Sequence, residues 1–181
     1  SNLNKFSRIT TTQDPPQETI NELINLYKKS QFSLAVEQAQ ILTKQYPDNF
    51  MIWNILGASA KELGLSDQAI LAYKKAISIN PKYADAYSNM GVALKDQGKF
   101  DESINAFNRA VALKPNYADA YYNIGNTLRD KGELDMAIDA YKKAISLKFD
   151  DFLFFNNMGL TLNDQGKIEE AILAFQKSIS L

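Results

Sequence analysis

The sequence predicts an all-α solenoid of stacked, antiparallel helix pairs. Three observations carry this expectation. Gly57, Gly91, Gly125 and Gly159 stand 34 residues apart, and a second comb, Gly64, Gly98, Gly132 and Gly166, follows seven residues behind. The stretch YADAYSNMGVALKDQGKFDESINAFNRAVALKPN is followed at once by YADAYYNIGNTLRDKGELDMAIDAYKKAISLKFD. Between the glycines, apolar residues recur at i, i+3, i+4 and i+7, the mark of a helix with one buried stripe. A period of roughly 20–50 residues means copies of one supersecondary unit, each burying its apolar face on its neighbours.

Residues 1–15 are polar and lead into Pro15-Pro16; they read as a flexible leader, with an arm packed through Phe6 and Ile9 as the alternative. Five copies follow in one register, 16–49, 50–83, 84–117, 118–151 and 152–181, the last stopping inside its second helix. Each copy is expected to hold two helices, A and B. In the third copy the apolar set of helix A is Tyr87, Met90, Val92 and Leu94, and that of helix B is Ile104, Phe107, Ala110, Val111 and Leu113. Gly98 lies between them, where a turn needs positive φ. Pro47, Pro81 and Pro115 close three copies and stop helix B. The comb glycines at 57, 91, 125 and 159 should face the partner helix, with Ala35, Ala69, Ala137 and Ala171, and Ser103 in the third copy, at the matching site.

Composition narrows the chemistry. The 181 residues carry a net charge of −1, and Lys and Arg are mixed with Asp and Glu throughout. This gives no electrostatic footprint for nucleic acid, which is not expected as a partner. The sequence has no Cys and no His. That removes disulfides, thiol nucleophiles, imidazole bases and the usual zinc ligands. Neither a phosphate loop nor a dinucleotide fingerprint is present, so no catalytic residue, metal or cofactor is assigned, and the chain by itself is not read as an enzyme. No apolar run approaches the roughly 20 residues that span a bilayer. A membrane is therefore not expected as a partner, and the setting is read as cytoplasmic. Ser1-Asn2 is consistent with an expression remnant, in which case a native targeting segment lies outside the sequence.

With these residues in place, the pattern resembles the tetratricopeptide repeat. The second copy shows it as Trp53, Leu56-Gly57, Ala69, Tyr73, Ala76 and Pro81. The first copy departs from it, with Leu23 at the glycine site and Thr19 at the aromatic site, and the fourth replaces the closing proline with Phe149. The resemblance implies a right-handed superhelix whose helix A residues line a concave groove.

Function is then sought in helix A residues that packing does not claim. Two residues before the comb glycines stand Asn21, Ile55, Asn89, Asn123 and Asn157. An Asn side chain can pair with both backbone groups of an extended peptide. Asp85 and Asp119 lie one turn below Asn89 and Asn123; the second and fifth copies have Met51 and Leu153 there. This double ladder is similar to the groove of the O-linked N-acetylglucosamine transferase repeats, which implies backbone recognition by Asn89, Asn123 and Asn157 and side-chain selection by Asp85 and Asp119. Tyr122, Val92, Leu160 and Leu153 are apolar groove candidates. Lys61, Lys95 and Arg129 each precede an acid and read as a solvated face. A clamp for acidic tails needs cations one turn apart on the groove side, where this sequence has Asp and Asn.

Phe149, Phe152, Leu153, Phe154 and Phe155 crowd one junction between copies. Phe155 is a core position, Phe149 is expected to extend helix B, and Phe152 or Phe154, if exposed, marks a contact surface. Ile172, Phe175 and Ile179 of the last helix should remain partly exposed, which predicts fraying or self-association through the C-terminal helix and a chain that is a fragment of a longer protein. Three functions are compatible with this reading: a scaffold binding a peptide or protein, the substrate-recognition arm of a larger enzyme such as a glycosyltransferase, and a self-assembling structural solenoid.

Overall fold

The computed structural model describes residues 14–181, so the arm through Phe6 and Ile9 lies outside the described residues. Ten helices follow one another: α1 (Gln17–Lys28), α2 (Phe32–Gln45), α3 (Phe50–Glu62), α4 (Ser66–Ile79), α5 (Ala84–Asp96), α6 (Phe100–Leu113), α7 (Ala118–Lys131), α8 (Leu134–Leu147), α9 (Phe152–Asp164) and α10 (Ile168–Ile179). Among the described residues there is no strand. Odd-numbered helices are the A helices and even-numbered ones the B helices.

The turn within each pair is set by one residue at positive φ: Gly64, Gly98, Gly132 and Gly166 at 72–88°, and Ser30 at 57° in the first copy. A Cβ on any of these glycines would meet nothing within 4 Å, so backbone conformation and not crowding selects glycine there. Two backbone bonds close each turn. At Gly98, its own N–H donates to Lys95 O at 2.8 Å and that of Lys99 to Leu94 O at 3.0 Å. This is the left-handed helix-ending arrangement that satisfies carbonyls otherwise left open.

The helices of a pair are held together by a ring set into a glycine gap. A Cβ on Gly57, Gly91, Gly125 or Gly159 would stand 2.6–2.8 Å from the ring of Tyr73, Phe107, Tyr141 or Phe175 respectively. The large side chain opposite the comb is thus an aromatic on helix B, and the alanine site expected there sits beside it. In the third copy that site is Ser103, whose buried hydroxyl donates to Gly91 O at 2.7 Å. The first copy inverts the pair: Leu23 takes the glycine position, Ala39 takes the ring position, and both are buried in one cluster. α1 and α2 approach each other less closely than the helices of the later pairs, so this copy keeps its helix pair without the glycine through looser packing.

Successive pairs stack, with each B helix against the next A helix and each A helix touching the A helix of the next pair. Exposed polar cross-links run between copies at fixed intervals: Gln97 to Asp67 and Gln165 to Asp135, each at 2.8 Å, and Lys131 to Asp101 at 2.7 Å. One expectation fails. Phe149 does not extend helix B, because α8 ends at Leu147; the ring stays 59% exposed, edge-on to Phe155 and under Lys177. Phe154 and Phe155 are buried, whereas Phe152 is exposed.

Candidate functional site

Helices packed A to A form the inner wall, and the wall is not uniform along its length. At the N-terminal end it encloses a cavity of about 360 Å³ lined by side chains of α1, α3 and α5, with Tyr73 of α4 behind them. Ile24, Ile55, Ala58 and Val92 supply the apolar surface, and Asn54, Asn89, Lys28, Lys61 and Glu62 the polar groups. Burial pushes the Tyr73 hydroxyl well above the ordinary tyrosine range, so it faces the cavity uncharged. Burial alone would lower the pKa of Lys61, but its hydrogen bond to Glu62 and the charges of Glu62 and Asp96 hold it above the usual lysine value.

Asn89, Asn123 and Asn157, the asparagines expected to form a ladder, differ in what they hold. Asn89 is half-buried and its Nδ2 donates to Asn54 Oδ1 at 3.2 Å; Asn54 in turn donates to the Tyr83 hydroxyl at 3.4 Å. Asn157 donates to the Tyr122 hydroxyl at 2.7 Å and to Asn126 Oδ1 at 2.9 Å, and Asn126 also accepts from the Tyr141 hydroxyl. Both N–H groups of Asn157 are therefore engaged between copies. Asn123, half-buried between these two groups, makes no side-chain hydrogen bond among the described residues. Asp85 is half-buried beside Tyr117, whose hydroxyl is pushed up to about 12 by burial and by the Asp85 carboxylate; Asp119 is exposed.

Of the apolar candidates, Val92 lines the cavity. Tyr122 is half-buried, stacked on Phe154 with ring centroids 4.8 Å apart. Leu160 and Leu153 are exposed toward the C-terminal end, as Met51 is in the second copy. The structure therefore gathers Asn89 and Val92 at one end and Asn157 with Tyr122 at the other, with Asn123 between. Sequence reasoning missed Asn54, Tyr27 and Lys28. A signal for the first was available: three residues before each comb glycine stand Asn54, Ser88, Tyr122 and Asn156, polar in every such copy.

The charged row, expected to be a solvated face, is partly exposed and paired. Lys95 pairs with Asp130 at 3.5 Å and Arg129 with Asp164 at 3.0 Å, each reaching into the next copy; Lys61 instead pairs with its own neighbour Glu62 at 2.9 Å. Among the described residues no group of three or more His, Cys, Asp or Glu side chains is placed to hold a metal ion, and no helix is long and apolar enough to cross a membrane.

A stack of helix pairs with an open inner wall defines a helical-repeat scaffold of the kind that binds other proteins. Tetratricopeptide repeat models match residues 60–98, 93–128, 118–151 and 154–181, and the chain belongs to the tetratricopeptide repeat family. Among solved structures, a crystal structure of MamA is 32% identical, covering 86% of this chain and 91% of that one with a TM-score of 0.79. A MamA chain from Desulfovibrio magneticus RS-1 is 18% identical and covers 94% of this chain and 97% of its own, with a TM-score of 0.83; at that identity the likeness is one of fold. The same holds for YrrB, described as a TPR protein with an unusual peptide-binding site, which is 19% identical with a TM-score of 0.72 over 90% of this chain and 84% of that one. A peroxisomal targeting signal receptor of Candida glabrata is 31% identical over 64 residues, which is 35% of this chain and 11% of the receptor's length.

Proposed function

We propose that the inner wall binds an extended peptide segment of a protein partner. The observation that carries the reading is the cavity bounded by Val92, Asn89 and Asn54, continued along the wall by the uncommitted amide of Asn123. An apolar concavity with a few convergent polar groups suits a side chain, and an Asn amide matches the donor and acceptor of a peptide backbone. Asn157 acts mainly through the wall itself, since both its N–H groups already join one copy to another, whereas Asn89 has one N–H so engaged and keeps the other for a ligand. The description of YrrB as having a peptide-binding site supports the same use of this fold here.

The test is selection of a random-sequence peptide library on the whole protein, followed by titration of the recovered peptides. Asn123→Ala removes two hydrogen bonds worth about 0.5–1.5 kcal/mol each, which lowers affinity roughly five- to 150-fold. Val92→Asp should abolish binding of peptides that enter the cavity. Leu71→Asp, on an exposed outer position, should leave affinity unchanged. Recovered peptides that lose binding with Leu71→Asp and ignore both groove variants would overturn the reading, as would recovery of none.

A further inference from the structure

Two grooves between neighbouring B helices share one plan. The first lies between α2 and α4 with α3 as its floor and has a volume of about 470 Å³. The second lies between α8 and α10 over α9, with about 300 Å³. Trp53 and Leu56 floor the first, as Phe155 and Met158 floor the second; Leu71 and Leu173 stand at one register on the wall, with Lys75 and Lys177 one turn further on. Leu71 is 68% and Leu173 66% exposed. Leu71 keeps that exposure with one copy stacked before its own and three after, so it belongs to this side of the solenoid and not to an end of it.

The copies between them use the same place differently. Asn105 and Asp139 replace the leucine, and a cation lies over the floor ring, Arg109 over Tyr87 and Lys143 over Tyr121, each 5.9 Å from the centroid. Among the described residues no cation lies over Trp53. Its Nε1 already donates to Pro47 O at 2.8 Å, so the indole offers the groove only its apolar surface. The rims of the two grooves also differ. In the second, Glu170 adds a carboxylate, Lys142 pairs with Asp139 at 4.0 Å, and Lys177 lies over Phe149. In the first, Gln68 replaces Glu170 and no carboxylate lines the groove. Lys44 on α2 and Lys75 on α4 stand on opposite walls, and neither has an ion pair among the described residues.

We propose that the groove over Trp53 docks a segment of a partner protein in which an apolar side chain stands between carboxylates. The apolar side chain rests on Trp53 and Leu71, and the carboxylates meet Lys44 on one wall and Lys75 on the other. Charge complementarity selects this occupant: an apolar concavity bracketed by two unpaired cations favours an acidic, apolar segment and disfavours a basic one. Residues 1–13 of the chain carry Lys5 and Arg8 and no acid, so they have the wrong sign. A bilayer surface is flat and does not reach a floor set between two helices. The site shares no residue with the inner-wall cavity.

The probe is a random-sequence peptide library selected on Val92→Asp protein, with the recovered peptides titrated by fluorescence anisotropy. Enrichment of an apolar residue flanked by Asp or Glu is expected. Reversing both charges, Lys44→Glu with Lys75→Glu, should weaken these peptides about tenfold and remove most of the salt dependence, whereas Lys44→Arg with Lys75→Arg should retain them. Both lysines are exposed, so these substitutions leave the fold intact, which circular dichroism verifies. Leu71→Asp should abolish binding, and Leu173→Asp in the second groove should leave it unchanged. Each of the following would overturn the proposal: recovery of no acidic peptide, binding that ignores the charge reversal, or binding lost with Leu173→Asp and kept with Leu71→Asp. So would a dimer in sedimentation that the reversal converts to monomer, which would make a second copy the occupant, or pelleting with phosphatidylserine vesicles that the reversal removes, which would make it a membrane. Leu71→Asp blinds the protein to this groove and Val92→Asp to the inner wall, so the two readings hold or fail separately.

Discussion

Replacing Gly125 by alanine tests the ring-in-gap account of the helix pair. The new Cβ would lie 2.6, 2.7 and 2.9 Å from three carbons of the Tyr141 ring. Ordinary carbon contacts are about 3.5–4.0 Å, so the ring must retreat by roughly 1 Å. It has nowhere to go, being fully buried, and its hydroxyl is anchored to Asn126 at 2.9 Å. Overpacking of this kind costs about 1–3 kcal/mol. A strained or lost hydrogen bond adds about 1 kcal/mol, and the better helix propensity of alanine returns about 1 kcal/mol. The net expectation is a loss of about 2 kcal/mol, or roughly 4–8 °C in Tm for a chain of this size. Gly159→Ala is the internal comparison. Its Cβ would meet Phe175 at 2.8 Å, but that ring is only half-buried and has no hydrogen bond to lose, so it can swing outward and the variant should lie within about 1 kcal/mol of wild type. Urea unfolding with an unchanged m-value measures both. A further variant, Gly125→Leu with Tyr141→Ala, copies the inverted pair of Leu23 and Ala39 and should be more stable than Gly125→Leu alone. Equal losses at Gly125 and Gly159, or no rescue by the second substitution, would refute the reasoning.

Two other outcomes follow from the electrostatics. Burial raises Tyr73, Tyr83 and Tyr141 above the usual tyrosine value, and burial with the Asp85 charge raises Tyr117 to about 12. Unfolded tyrosines ionise near pH 10, so the unfolded state loses protons first; the tyrosine contribution is fully present below about pH 10 and disappears as pH rises toward 12. Phenolate absorbance followed alongside circular dichroism should show late-ionising tyrosines released with unfolding, and Tyr117→Phe should remove one of them; a single step near pH 10 with the helices intact would contradict this. The inter-copy pairs of Lys95 with Asp130 and Arg129 with Asp164 are partly exposed. Lys95→Ala and Arg129→Ala should each cost no more than about 1 kcal/mol, and less at about 1 M salt. A larger, salt-insensitive loss would mean that these side chains act through packing.

Helix number and turn positions were legible in the sequence because each depends on local chemistry. Positive φ at one residue demands glycine, and a buried stripe demands period 3.6. What could not be read was pairing across copies. Whether Asn89 faces solvent or Asn54 depends on a neighbour 35 residues away, and the same holds for Asn157 and Tyr122. The Leu23 and Ala39 positions were hidden for a related reason: each residue alone looks like a departure, and only the structure shows both buried in one cluster. Phe149 was misplaced because its aromatic character suggested burial, while the helix had already ended two residues earlier.

The same cross-copy bonds bear on what the inner wall can recognise. A polar side chain that already holds two copies together cannot also give its donors to a ligand without loosening the stack. Asn157, with both N–H groups engaged, is the clearest case, and Asn89 keeps one N–H for another partner. On the proposed reading, recognition falls to groups that the stack does not use: the cavity walls at Val92 and Ile55, the amide of Asn123, the carboxylate of Asp119, and the exposed Leu153 and Leu160. These lie in order along the wall, a cavity of mixed apolar and polar lining at one end, polar groups in the middle, and exposed aliphatic side chains at the other. A peptide bound as proposed would place one side chain in the cavity of about 360 Å³ at one end and a second apolar residue at the other. If the wall binds as proposed, specificity resides in the spacing between those two residues more than in any single contact, because the copies fix the distance between the places that receive them.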